Sequence, residues 1–275
     1  MPELPETETI ARDLAREITG RRITDVVVLK PDVLREVTPG DLTDRLLGAS
    51  VDRCWRRAKM VVIDLDSTDR IVVQPRFTGA LLLSRGPLPD AEAPYSTLHL
   101  RLDDGRDLHY RDIRRLGTLA LMSRERFAEC SGALGIEPLD PEFTEAHLSG
   151  ILRGSRQAVK KVLMDQRRVV GIGNIYANEA CWRAGVDPSR SASALAPEEI
   201  HALHGGIVGV LTDSVSARGT SFRDYRDATG GKGHFERSLA VYGRGGEPCL
   251  RCGARLVQTH VIDGRSTVLC AHCQR

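Results

Sequence analysis

The spacing of apolar positions changes character several times along the chain. Over residues 5–19, PETETIARDLAREIT, Ile10, Leu14 and Ile18 recur every four residues with Ala11 and Ala15 beside them. That spacing predicts a helix with one apolar face. Pro5 suits a first helical position, Glu6 and Glu8 suit the positive end of the helix dipole, and Gly20 ends the pattern. From residue 23 to about 122 the apolar runs shorten to ITDVVVL, VVIDLD, RIVVQ, ALLLS, STLHLRL, RDLHY and TLALM. Turn residues such as Asp103-Asp104-Gly105 separate them, so they predict strands of a β-sandwich or barrel-like domain. GPLPDAEAP, 86–94, reads as an exposed loop. Helical spacing returns at about 144–152, 156–164, 174–184 and 197–217, the last opened by Pro197-Glu198-Glu199. Residues 219–246, rich in glycine and charge, read as a mobile loop, and the final 30 residues as short strands around cysteine pairs.

Composition adds little to this except through charge. The 275 residues are 41% hydrophobic and 28% charged, ordinary for a globular protein. Residues 2–9 hold three glutamates and no apolar run, unlike a signal peptide, and no apolar stretch reaches the roughly 18–20 residues of a membrane helix. A cytoplasmic protein that does not enter the membrane is expected. The net charge of +2 divides into −5 over residues 1–150 and +7 over 151–275. A basic second half suits a polyanionic partner, most simply nucleic acid.

Four of the seven cysteines form two C-x-x-C pairs, Cys249/Cys252 and Cys270/Cys273, 17 residues apart. Two such pairs offer four thiolates to one tetrahedral zinc, and the polar segment between them has little core of its own. Four cysteine ligands leave no open position, so the zinc is expected to be structural. Two disulfides fit a cytoplasmic chain poorly. His272, between two ligands, reads as a surface residue, and Cys54, Cys130 and Cys181 as small buried thiols. Within VIDGRST, Arg265 follows Gly264, where a hairpin tip could reach phosphate. Upstream, Gly171 and Gly173 in VVGIGN precede a helix opening at Asn174, an arrangement that lets backbone N–H groups approach an anion.

PELPE at the start, RRAK at 56–59, DIRRLG at 112–117, LGIEPL at 134–139, LMDQRRVVGIGNIYANE at 163–179, VYGRGGEPC at 241–249 and the cysteine pairs occur in order over essentially the whole chain. In these motifs the sequence resembles the bacterial formamidopyrimidine-DNA glycosylases of the Fpg/Nei family, with PELPE favouring the formamidopyrimidine branch. The resemblance implies an α+β, multidomain fold. Residues 1–130 would form a catalytic β-sandwich with flanking helices. Residues 131–235 would form a helix–two-turns–helix domain with a lesion-capping loop, and residues 236–275 a four-cysteine zinc finger. It implies a bifunctional glycosylase and abasic-site lyase acting on double-stranded DNA with oxidised purines or abasic sites. It also implies a monomer, associated with the bacterial nucleoid. The alternatives are a glycosylase for oxidised pyrimidines and a non-catalytic binder of damaged DNA.

The same resemblance assigns roles. Pro2, once Met1 is removed, would be a secondary amine with a pKa near the α-amino range of roughly 7.7–8, able to attack the sugar C1′. Glu3 would be the general acid, Glu6 a supporting carboxylate, and Lys59 a phosphate contact that assists elimination. Asn174 and Arg265 would grip phosphates, with Lys160, Tyr242, Tyr95 and Arg156 as further DNA contacts. Thr220 and Ser221, in the 219–235 loop, would offer N–H groups to the flipped base. Two family stretches depart from pattern. QPRFTG carries Gln74 for a histidine and Phe77 for a methionine wedge, and DIRRLG carries Leu116 for a phenylalanine. Arg115 is expected to face the orphaned cytosine. An aromatic gained at one wedge and lost at the other implies a rebuilt wedge.

Overall fold

The computed structural model describes residues 2–221 and 225–275. By packing, the chain falls into two units: the residues up to Gly132 together with Ala217–His234, and Ala133–Ser216 together with Phe235–Arg275. The segment 217–234 therefore packs with the sandwich, not with the helices of 131–216 that precede it. The cysteine pairs share a unit with the helices.

The first unit opens with α1 (Leu4–Ile18), whose Ile10, Leu14 and Ile18 are fully buried as the spacing predicts. Nine strands follow: β1 (Ile23–Val28), β2 (Leu34–Arg35), β3 (Val51–Arg57), β4 (Met60–Leu65), β5 (Arg70–Gln74), β6 (Gly79–Arg85), β7 (Ser96–Leu102), β8 (Arg106–Asp112) and β9 (Thr118–Met122). They form two sheets, ordered β1-β7-β8-β6 and β2-β9-β5-β4-β3, and every pairing is antiparallel except β2 with β9. The strand period of two decides which face each residue joins. Val61, Ile63 and Leu65 of β4 enter the core shared by both sheets and α1, while Val62 joins Val72, Phe127 and Trp55 on the outer face. Phe127 comes from α3 (Arg124–Gly132). That helix, α2 (Pro39–Leu46) and the polar strand β3 are additions to the sequence reading. β3 reads VDRCWRR, with too little apolar alternation to announce a strand.

The second unit is built from α4 (Glu145–Arg153), α5 (Val159–Met164), α6 (Asn174–Ala184) and α7 (Pro197–Ser216), followed by the hairpin β10 (Val257–Ile262) and β11 (Arg265–Leu269). Gly135, in LGIEPL, shows why a glycine is needed there. Its N–H reaches Gln166 O at 2.9 Å, and a Cβ would lie 2.2 Å from Arg168 O, so no larger residue fits the turn. Among the described residues no helix is long and apolar enough to cross a membrane.

Candidate active site and nucleic-acid interface

PELPE becomes a helix start of a particular kind. Glu3 is the N-cap of α1 and forms a reciprocal capping box with Glu6. The Glu3 N–H donates to Glu6 Oε2 at 2.8 Å. The other oxygen, Glu6 Oε1, accepts the Thr220 N–H at 2.7 Å. One carboxylate thus joins the residue beside Pro2 to the glycine-rich loop. Gly219 packs so closely that a Cβ there would lie 2.9 Å from Glu6 Oε1, and its φ of +82° is one that side chains disfavour. Pro2, Glu3 and Glu6 are all buried. Lys59 lies in the two-residue turn between β3 and β4, with Ala58 left-handed at φ +54°. Arg56, at the end of β3, grips Glu8 of α1 at 2.8 Å and holds this hairpin against the helix.

The loop expected to be mobile is partly core. Tyr225 and Ala228 belong to the apolar cluster of the sandwich, Tyr225 Oη donates to Glu6 O at 3.3 Å, and Ala228 O accepts from Leu83 N. Residues 222–224 of that loop lie outside the described residues.

The loops that carry Phe77 and Leu116 meet on one buried carboxylate, Asp112. Its Oδ2 accepts Gly117 N at 2.8 Å, and its Oδ1 accepts the Thr78 hydroxyl and Arg114 N. Phe77 and Leu116 are left 45% and 42% exposed. Arg115, expected to face the orphaned base, is left-handed at φ +50° and pairs with Asp32 at 3.1 Å. It is Arg114 whose guanidinium stacks 5.0 Å from the Phe77 ring. Sequence reading missed Arg114 and the Thr78–Asp112 brace; the repeated arginine in DIRRLG was the available signal. Tyr95 stands at the surface with Arg111 over its ring at 5.6 Å. Gln74 ends β5 opposite Thr118.

In the second unit, Asn174 opens α6 behind the left-handed Gly171 (φ +79°) and the N-cap Gly173. Gln166 staples this turn: its amide donates to Met164 O and Ile172 O, and its carbonyl accepts Gly171 N, all at 2.9 Å. Asn174 Oδ1 is buried with no hydrogen-bond partner among the described residues. Arg265 is exposed at the start of β11, after Asp263 and Gly264 at φ +50° and +66°, the two left-handed residues of a tight hairpin turn. With Lys161 and Arg167 it lines an open cavity of about 210 Å³. Asn178 holds β11 against α6 by accepting Val268 N at 3.0 Å, which brings the hairpin beside the helix that Asn174 opens.

Lys160 corrects an expectation. It is fully buried, and its ammonium donates to Ser266 O at 2.8 Å and Thr267 Oγ1 at 2.9 Å. It fixes the strand that carries Arg265 and does not present its charge to a DNA backbone. Tyr242 is half-buried, and its N–H, with those of Ala240 and Val241, is held by the buried Glu179 carboxylate at 2.8–2.9 Å. Burial pushes the Glu179 carboxyl above its usual range, against the pull of those three donors. Arg156 is exposed between α4 and α5.

The four Sγ atoms of Cys249, Cys252, Cys270 and Cys273 lie within 4.8 Å of one another. Cys252–Cys270 is 3.5 Å and Cys249–Cys273 is 4.0 Å. A tetrahedral zinc with Zn–S near 2.3 Å sets edges of about 3.8 Å, whereas a disulfide needs about 2.05 Å. The four cysteines therefore fit one structural zinc, and His272 is exposed outside the set. Burial pushes the thiols of Cys54 and Cys181 up to about 12, which suits packing and not nucleophilic chemistry.

Three family models match in order: the formamidopyrimidine-DNA glycosylase N-terminal domain over residues 1–119, its H2TH domain over 134–226, and the zinc finger found in FPG and IleRS over 246–275. A formamidopyrimidine-DNA glycosylase of Desulfitobacterium hafniense is 41% identical over 278 residues, spanning all of both chains. The wild-type Lactococcus lactis Fpg bound to an N7-benzyl-Fapy-dG DNA superposes with a TM-score of 0.92 at 31% identity over all of both chains. The same organism's Fpg bound to an abasic-site DNA gives 0.91 at 31% identity over 99% of each. With its motifs in order and its full length matched, the chain belongs to the formamidopyrimidine-DNA glycosylase family.

Proposed function

We infer that this protein is a bifunctional DNA glycosylase and abasic-site lyase that excises oxidised purines from double-stranded DNA and cuts the strand by β,δ-elimination. The observation that carries the reading is the helix start: Pro2 and Glu3 lie at the positive end of α1, in a capping box whose Glu6 also holds the loop at Thr220. A free segment would wander, whereas Pro2 and Glu3 are buried.

After Met1 is removed, Pro2 is a secondary amine. With a pKa near the α-amino range of roughly 7.7–8, a useful fraction of it is free base near neutral pH. Its nitrogen attacks C1′ of the damaged nucleotide while Glu3 protonates the ring oxygen, and the base leaves with a proton. The amine has no N–H left to lose, so the adduct is a cationic iminium. That electron sink acidifies the C2′ proton, and its removal expels the 3′ phosphate; a second elimination expels the 5′ phosphate. Lys59 neutralises phosphate near the lesion, and Arg265 and Asn174 hold the flanking backbone. Arg156, Tyr242 and Tyr95 complete the grip. Phe77 and Leu116 fill the gap left by the extruded base, an insertion that offsets a few kcal/mol of unstacking. Arg114, lying on Phe77, is better placed than Arg115 to read the orphaned base. The Arg115–Asp32 pair is half-exposed on both sides and opens at little cost, freeing Arg115 for the backbone. The zinc carries no step; it holds the finger that presents Arg265. Such an enzyme works in the cytoplasm, on the DNA of the nucleoid.

Single-turnover excision of 8-oxoguanine opposite cytosine, run beside thymine glycol, tests the reading. We expect faster removal of 8-oxoguanine and a gap flanked by phosphates. Faster removal of thymine glycol would replace it with a pyrimidine-directed enzyme, and binding without products with a non-catalytic binder.

A further inference from the structure

An ion-pair cluster beside the loop has no part in the chemistry above. Asp13, on α1, is 1% exposed although it carries a carboxylate. Its Oδ2 lies 2.6 Å from Arg218 Nη2, and its Oδ1 pairs with Arg16. The same Arg218 nitrogen lies 2.5 Å from Asp227 Oδ2, and Asp227 is 3% exposed. Asp227 Oδ1 in turn accepts Thr229 N at 3.0 Å and Gly231 N at 2.7 Å. Arg218 therefore joins three stretches: the helix that starts at the catalytic residues, the entry of the 219–235 loop, and its later half.

Two features say that this is more than a surface pair. Both carboxylates are buried, so each needs its cation; losing one partner of a buried pair costs far more than losing an exposed one. Arg218 also has φ +62°, a backbone that glycine adopts freely and a β-carbon opposes. A disfavoured backbone persists only where its surroundings hold it. Here the ion pairs hold it, and they set the chain direction into Gly219 and Thr220, whose N–H reaches Glu6 two residues on. On the far side, Tyr225 reaches Glu6 O, and Asp227 closes the cluster.

We propose that Arg218 is a positioning residue: by clasping Asp13 and Asp227 it fixes both flanks of the base-reading loop on α1, and so supports excision of a damaged base without supporting cleavage at a site that has already lost its base. The proposal rests on the reading of 219–235 as the loop that meets the flipped base. The selectivity follows because an abasic site offers that loop nothing to read, whereas the Glu3 N–H is held by Glu6 Oε2, the carboxylate oxygen that Thr220 does not use.

The test uses the full-length, zinc-loaded protein and two duplexes, one with 8-oxoguanine opposite cytosine and one with a preformed abasic site. Arg218→Gly removes the clasp and the backbone opposition together; Arg218→Gln removes the charge but keeps the side chain. In both variants single-turnover base excision should fall about tenfold or more, while abasic-site cleavage stays within about twofold of wild type. Arg218→Lys should recover much of the lost excision. Wild-type excision in both Gly and Gln variants, or an equal fall in both reactions, would overturn the proposal. Failure of the wild-type protein itself to excise 8-oxoguanine would instead overturn the functional reading, and the clasp with it.

Discussion

Glu6 uses both oxygens of one carboxylate, one on the Glu3 N–H and one on the Thr220 N–H. Neighbouring Glu8 does comparable work with charge. Burial alone would raise its carboxyl, but Arg56 and Arg12 outweigh that and hold it below the ordinary 4.5. A carboxyl lowered in the folded state contributes stability above its unfolded pKa and loses it as pH falls through the folded value. Glu8→Gln should therefore unfold at lower denaturant than wild type at pH 7, with the gap closing below about pH 4; a gap that persists in acid would assign the effect to packing. Residue types and spacing made the four cysteines and the glycine turn before Asn174 readable as candidates, and the family resemblance added Pro2, Glu3 and Glu6. They could not tell which of two adjacent arginines lies on Phe77, because that depends on the left-handed turn at Arg115. Nor could they show that Lys160 spends its charge inside the protein on Ser266 and Thr267. A lysine beside a basic helix looks the same in sequence whether its ammonium points in or out.

At the scale of elements, α1 was readable because Ile10, Leu14 and Ile18 recur on one face, and the strands because they are short β-branched runs between turns; α6, which buries seven consecutive residues from Ile175 to Cys181, was announced by the glycine turn before it. β3 was not, since its partners β4 and α1 supply the apolar surface that it lacks. The connections were harder still. Glu179 sits in a helix as an unremarkable acid, yet its carboxylate gathers three consecutive N–H groups from the strand of chain leading to the finger. Each buried donor left without a partner costs about 1–3 kcal/mol. Glu179→Ala should therefore destabilise the helical unit by roughly 3 kcal/mol or more, read as a lowered calorimetric transition for that unit with the sandwich transition in place. A shift of under about 1 kcal/mol would mean that water or neighbouring groups take over the donors.

For the molecule as a whole, the two units have separate cores and each carries a net charge of +1, so the basic excess over residues 151–275 is shared between them. The zinc finger has only a small apolar cluster, Val241, Cys249, Leu256, Val268 and Cys270, so the metal carries much of its order. Chelation, or Cys249→Ser, should abolish tight binding to an abasic duplex while the β-sandwich still melts as in wild type; unchanged affinity would remove the finger from the grip. The chemistry turns on one nitrogen, that of Pro2. Borohydride reduces an iminium to a stable amine, so it fixes the enzyme to DNA at the residue that attacked. With an abasic duplex at neutral pH, we expect a covalent adduct whose peptide mass maps to Pro2, and none on protein that retains Met1. An adduct on a lysine, or undiminished trapping with Met1 in place, would contradict that expectation.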